Sequence, residues 1–147
     1  MGNLYEYFSA ADDASAMTAF ETGAEDAGFA SLGALKGIGP DIGLGKLEAV
    51  LTGLSFDQIS QDPRFADVIT SETEGEGTWI VALTDRLRDG LAGVTPDQLL
   101  PIAERWAATY EYVNSEPDLL ADFLGRLVDL AVQAQVRKHR LYCWLSL

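Results

Sequence analysis

His139 and Cys143, four residues apart in RKHRLYCWLSL, are the only histidine and the only cysteine among 147 residues. An imidazole beside a thiol is the pairing that generates a thiolate nucleophile, because a nearby cation lowers the thiol pKa. The surrounding pattern argues otherwise. Arg137, Lys138 and His139 stand where a long helix would end, and positive groups there gain about 0.3–1 kcal/mol each from the helix dipole. Leu141 to Leu147 is almost continuously apolar and aromatic, the pattern of a strand covered on both faces. Along an extended strand a residue four positions back lies roughly 13 Å away. The expectation is therefore a buried structural cysteine, and one histidine with one cysteine supplies no zinc site.

Other constellations point to chemistry only weakly. KGIGPDIGLGKL places glycines before Lys46 at a helix start, as a phosphate loop would. Its first glycine is one residue too far away, Leu47 replaces the magnesium-binding Ser or Thr, and the glycine order misses the dinucleotide fingerprint, so a structural glycine turn is expected. Asp85 and Asp89 share a helix face but sit among Arg86 and Arg88, which suits a mixed surface better than a paired acid and base. In SETEGEG, Glu72, Glu74 and Glu76 alternate and would project to one side of an extended segment. That run is an acidic turn, or an electrostatic contact for a basic partner. Tyr112 is the exposed aromatic candidate beside Glu111. A second possibility is a ligand pocket lined by Tyr5, Tyr7, Trp79, Trp106 and Tyr112 with nearby carboxylates. No metal or cofactor is implied.

The charge balance is lopsided: 23 acidic against 10 basic side chains give a formal net charge of -13 and a pI near 4.2. Phosphate backbones bind through Lys and Arg that displace counterions, so nucleic acid is disfavoured as a partner, as are anionic membranes. A basic protein partner is favoured. With 48% hydrophobic and 22% charged residues the composition is that of a globular chain, and its length suits one domain over residues 1–147. One cysteine fits a reducing cytoplasm. MGNLYEYFSA lacks the basic flank of a secretory signal, and no apolar run approaches bilayer-spanning length.

The elements that position these residues follow from periodicity and caps. NLYEYFSA predicts a first strand with Tyr5 and Tyr7 on one face and Leu4, Glu6 and Phe8 on the other. A short alanine-rich helix follows, capped by Ser9 or Asp12, and GFASLGAL suggests a small-residue strand. A helix over 42–52 stops at Gly53; Ser55 and Gln58 have capping-box spacing; TWIVAL is a buried strand; Thr84 caps a helix ending at Gly93. Thr95, Pro96 and Gln98 open another start, with a fresh start at Pro101 and an amphipathic helix to about Asn114. The longest helix is capped by Ser115 and buries Leu120, Phe123, Leu124, Leu127 and Ala131. Strands interleaved with helices predict an α/β fold, with α+β as the variant: a single-domain mixed β-sheet with helices packed on it and a long C-terminal helix feeding a buried terminal strand.

The order of several segments, an MG start before an aromatic strand, then KLEAVLTG, LTDRLRDGLAGVTPDQL and HRLYCWLSL, resembles the YfbM-like family of small uncharacterised bacterial proteins, in the texture of its actinobacterial members. That resemblance implies an α/β fold and brings no activity or catalytic residue. The functional expectation is a non-catalytic acidic binding module of the immunity or antitoxin type, monomeric or homodimeric. A small-molecule-binding protein or small enzyme is the alternative.

Overall fold

The computed structural model describes residues 3–70, 77–109 and 116–146. Five strands form one sheet in the order β2-β1-β5-β4-β3: β1 Leu4–Ala10, β2 Ser31–Leu35, β3 Asp67–Val68, β4 Thr78–Ala82 and β5 Arg140–Ser146. The chain is an α/β single domain in which the last helix runs into the last strand, as its sequence predicts. In strand direction the sheet departs from the mixed one expected: every pairing is antiparallel. The reason lies in the excursion between β4 and β5. Its helices leave one end of the sheet after Ala82 and bring the chain back to the same end, where Leu83 N–H donates to the Leu141 carbonyl at 3.1 Å. A strand entered from that end must run against β4.

β5 is central because its residues are apolar on both sides. Cross-strand rows alternate between the faces: Tyr7, Cys143 and Val81 in one, Phe8, Tyr142 and Ala82 in the next. The first face carries the larger core, against α2 (Ile42–Thr52), α4 (Asp85–Ala92), α5 (Leu99–Thr109) and α6 (Pro117–Arg137). The second is covered by α1 (Asp13–Met17) and the loop after it, through Ala16, Ala19, Ala24 and Phe20. Small side chains let that thin layer lie close to the strands.

Local chemistry sets the element ends. Ser55 and Gln58 form both hydrogen bonds of a capping box at the start of α3 (Phe56–Ser60), Thr84 accepts from the Leu87 amide, and Gly53 closes α2 at φ 75°. α5 begins at Leu99, two residues before the predicted start, because Pro101 falls in the first turn, where a missing N–H costs nothing. α6 begins at Pro117 after Glu116; Ser115, Tyr110 and Tyr112 lie outside the described residues. The expected stripe of Leu120, Phe123, Leu124, Leu127 and Ala131 is buried. The two glycines early in α2 have packing reasons. A Cβ on Gly45 would stand 2.5 Å from the Phe56 ring, and one on Gly43 would stand 3.1 Å from the Ile38 side chain.

Candidate functional site

Two of the aromatic residues expected to line a pocket, Tyr7 and Trp106, fill the core. Tyr7 is fully buried and its hydroxyl donates to the Ile38 carbonyl. Trp106 is 1% exposed, donates from Nε1 to the Gly43 carbonyl at 2.9 Å and stacks on Phe123, which in turn meets Tyr7 at 6.1 Å between ring centroids. Tyr5 and Trp79 share a half-buried row with Leu145 between them. Tyr7 and Trp106 therefore belong to the packed core, with Tyr5 against it. Glu72, Glu74, Glu76 and Tyr112 lie outside the described residues.

Cys143 has no exposed surface, and burial pushes its thiol well above the usual range, the opposite of activation. His139 sits past the end of α6, where its amide donates to the Ala134 carbonyl at 2.7 Å and its own carbonyl accepts from Arg88. Lys46 stands over the Phe56 ring at 5.0 Å, so the glycine-rich segment uses its cation in packing.

The densest polar chemistry is a seam that sequence reading missed, at the end of the sheet where β1 and β4 finish and β5 begins. Thr84, the α4 cap, donates its hydroxyl to Glu48 Oε1. Glu48 is 1% exposed, and its Oε2 has no hydrogen-bond donor; Arg86 Nε faces it at 3.4 Å. Burial raises the Glu48 pKa, while the Thr84 hydrogen bond and Arg86 pull it down. Arg86 reaches on to Asp62 at 3.1 Å, and Asp62 also accepts from the Arg64 amide at 2.9 Å. The Arg64 guanidinium grips Asp13 with two nitrogens, at 3.0 and 3.4 Å, and lies over the Tyr142 ring, whose hydroxyl donates to Asp13 at 2.7 Å. Hydrogen bonds from Arg64 and Tyr142 hold Asp13 below the usual carboxylate range; burial, with Asp13 beside it, raises Tyr142. Asp85 continues the seam with Arg88 at 3.6 Å and Arg140 at 3.3 Å, and Asp89 pairs with Arg88 at 2.9 Å.

This seam joins the helices, the segment after α3 and the sheet. It offers a substrate little: its carboxylates each face an arginine, and Glu48, whose pKa burial raises, is sealed from solvent. On the second face Glu6, 4% exposed, accepts from the Ala24 and Glu25 amides at 2.8 and 2.9 Å and from the Ser31 hydroxyl, which pins the loop over that face. Among the described residues no group of three or more His, Cys, Asp or Glu side chains is placed to hold a metal ion.

Glu48 had a readable signal. Leu44, Leu47, Glu48 and Leu51 follow the i, i+3, i+4, i+7 spacing of a buried stripe, so an acid there needs an internal partner. Asp62 and Arg64 had none, because their partners lie 24 and 51 residues away in the chain.

Other acids among the described residues face outward. Glu21, Glu25 and Asp26 are exposed on the loop after α1, and Asp118, Asp122 and Asp129 are exposed along one face of α6. Arg126 on that same face donates to the Leu32 carbonyl of β2.

Comparison of the chain with protein-family models, with curated proteins and with solved structures finds no match. No helix among the described residues is long and apolar enough to cross a membrane.

Proposed function

We propose that this protein is a non-catalytic binding module that engages a basic protein partner through its acidic exterior, in the manner of an immunity or antitoxin protein. The observation that carries the reading is the unequal use of charge. Arg64, Arg86, Arg88 and Arg140, four of the ten basic side chains, are held by carboxylates in the seam, while Glu21, Glu25, Asp26, Asp118, Asp122 and Asp129 stand exposed and enter no ion pair with a described residue. A surface of this kind raises encounter rates with a positive partner and repels nucleic acid. The buried, inert thiol and the internally committed seam support a binding role over a reaction. The lone cysteine agrees with a cytoplasmic setting. The YfbM-like resemblance is compatible with this and adds no activity.

The test is to titrate the protein with the purified products of the reading frames adjacent to its own gene, at low salt and again near ~0.5 M salt, where exposed charges are screened within a few ångströms. A basic product that binds, and binds more weakly at high salt, is expected. Replacing Asp118, Asp122 and Asp129 by Asn, or Glu72, Glu74 and Glu76 by Gln, should slow association. A complex indifferent both to salt and to these replacements contradicts the proposal.

A further inference from the structure

Between α2, α4 and α5 lies an open groove of about 640 Å³. Val50, Leu51, Val94 and Ile102 give it apolar walls, and Asp89, Asp97 and Arg105 carry its charges. Two glycines, Gly90 within α4 and Gly93 at its C-cap, leave one wall bare.

Neither glycine is demanded by the fold. Gly93 has φ -87°, which any residue adopts, and a Cβ there would meet only carbonyl oxygens at 3.8 Å. Gly90 lies inside the helix, and a Cβ there would touch the Leu51 side chain at 3.5 Å, an ordinary contact. Glycine within a helix weakens it relative to alanine, so Gly90 forgoes stability. Gly93, which caps α4, has no positive φ that would call for glycine, and what the two positions create together is width.

We propose that this groove seats an amphipathic helical segment of a basic partner, with apolar side chains at i, i+4 and i+7 against Val50, Leu51, Val94 and Ile102 and lysine or arginine beside Asp97 and Asp89. Charge complementarity argues for that occupant. Asp97 forms no ion pair with a described residue, and Asp89 has only its Oδ1 committed, to Arg88 and Gln135. Around them the chain carries a net charge of -13. Arg105, also without an ion pair among the described residues, suits the negative end of the helix dipole, which fixes the direction of the bound segment. The proposal rests on the basic-partner reading above and names where and in what form that partner docks.

The probe is a labelled leucine–lysine peptide of about 18 residues, roughly 27 Å long as a helix, with its leucines on one face. Two controls accompany it: the same composition with the leucines scattered, and the same pattern with glutamate for lysine. Binding is measured by fluorescence anisotropy to the full chain and to Gly90→Ala and Gly93→Leu. Both substitutions fit the backbone, so their unfolding midpoints should be no lower than that of the parent, which separates a filled groove from a damaged fold.

Saturable binding of the amphipathic lysine peptide, weakened at least tenfold by Gly93→Leu, is the expected result. Binding that Gly93→Leu leaves unchanged overturns the groove while leaving the acidic-surface reading intact. Equal binding of either control, or no binding of the peptide, overturns the helical basic occupant. A doubled native mass that Gly93→Leu abolishes would assign the groove to a second copy of the chain instead.

Discussion

Glu48 separates two effects that usually travel together, because its carboxylate is buried and also paired. Burial raises its pKa in the folded protein despite Thr84 and Arg86, so the folded state takes up a proton more readily than the unfolded chain. The stability it contributes is then fully present below the unfolded carboxylate range, near pH 4.3, and is lost as pH rises through the folded pKa. At neutral pH the ionised form is a net cost. Glu48→Gln keeps an oxygen for the Thr84 hydroxyl and leaves Arg86 with Asp62, so it should match or exceed the parent in urea denaturation at pH 7. Its standing against the parent should worsen by pH 4. Glu48→Ala, which strands the Thr84 hydroxyl, should cost about 1–3 kcal/mol at both pH values. A Gln variant that is markedly less stable at pH 7 and recovers in acid would reverse the sign and show that attraction to Arg86 outweighs the cost of burial.

At the scale of elements, the handover from α6 to β5 depends on one residue. Lys138 adopts φ 58°, ψ 39° so that its own amide and that of His139 close the helix onto the Gln135 and Ala134 carbonyls. A side chain in that conformation costs about 1–2 kcal/mol, whereas glycine enters it freely. Lys138→Gly and Lys138→Ala both remove the same charge, so their difference isolates the backbone. Gly should exceed Ala by about 1 kcal/mol, or roughly 2–4 °C in Tm, measured by thermal unfolding. Equal melting would mean that the turn opens without loss.

That turn is half legible in the sequence, and the half is instructive. Basic residues in the last turn and an apolar run after them announce the helix end and the strand, because both signals are local. Caps at Ser55 and Thr84 and the stop at Gly53 are legible for the same reason. The strand order, the edge position of β2 and the antiparallel return of β5 depend on where distant segments meet, and no window of sequence contains that. The seam escapes similarly: Arg64 with Asp13, and Arg86 with Asp62, are surface-like residues until the fold brings them together.

For the whole molecule, two electrostatic effects oppose each other. The seam pairs stabilise and weaken with salt, whereas repulsion among the exposed acids destabilises and is relieved by salt. Four arginines in the seam face Asp13, Glu48, Asp62, Asp85 and Asp89, so that region is close to neutral. Nearly all of the net charge of -13 is left to the rest of the chain. Of the two carboxylates closest to arginines here, Asp13 has 46% of its side chain exposed and Asp89 has 55%, so water already screens these pairs and added salt removes little from them. Repulsion should therefore dominate. At pH 7, raising NaCl from about 0.01 to about 0.3 M should increase unfolding free energy by an amount on the order of 1 kcal/mol, followed by urea denaturation at each salt concentration. Acid acts on the paired carboxylates below about pH 4. There Asp13 and Asp89, held low by Arg64 and Arg88, contribute stability that is present above the unfolded carboxylate pKa and is lost as pH falls through their folded values. Stability that falls on adding salt at pH 7 would reverse the ranking and make the seam, instead of the acidic exterior, the stronger electrostatic influence on the fold.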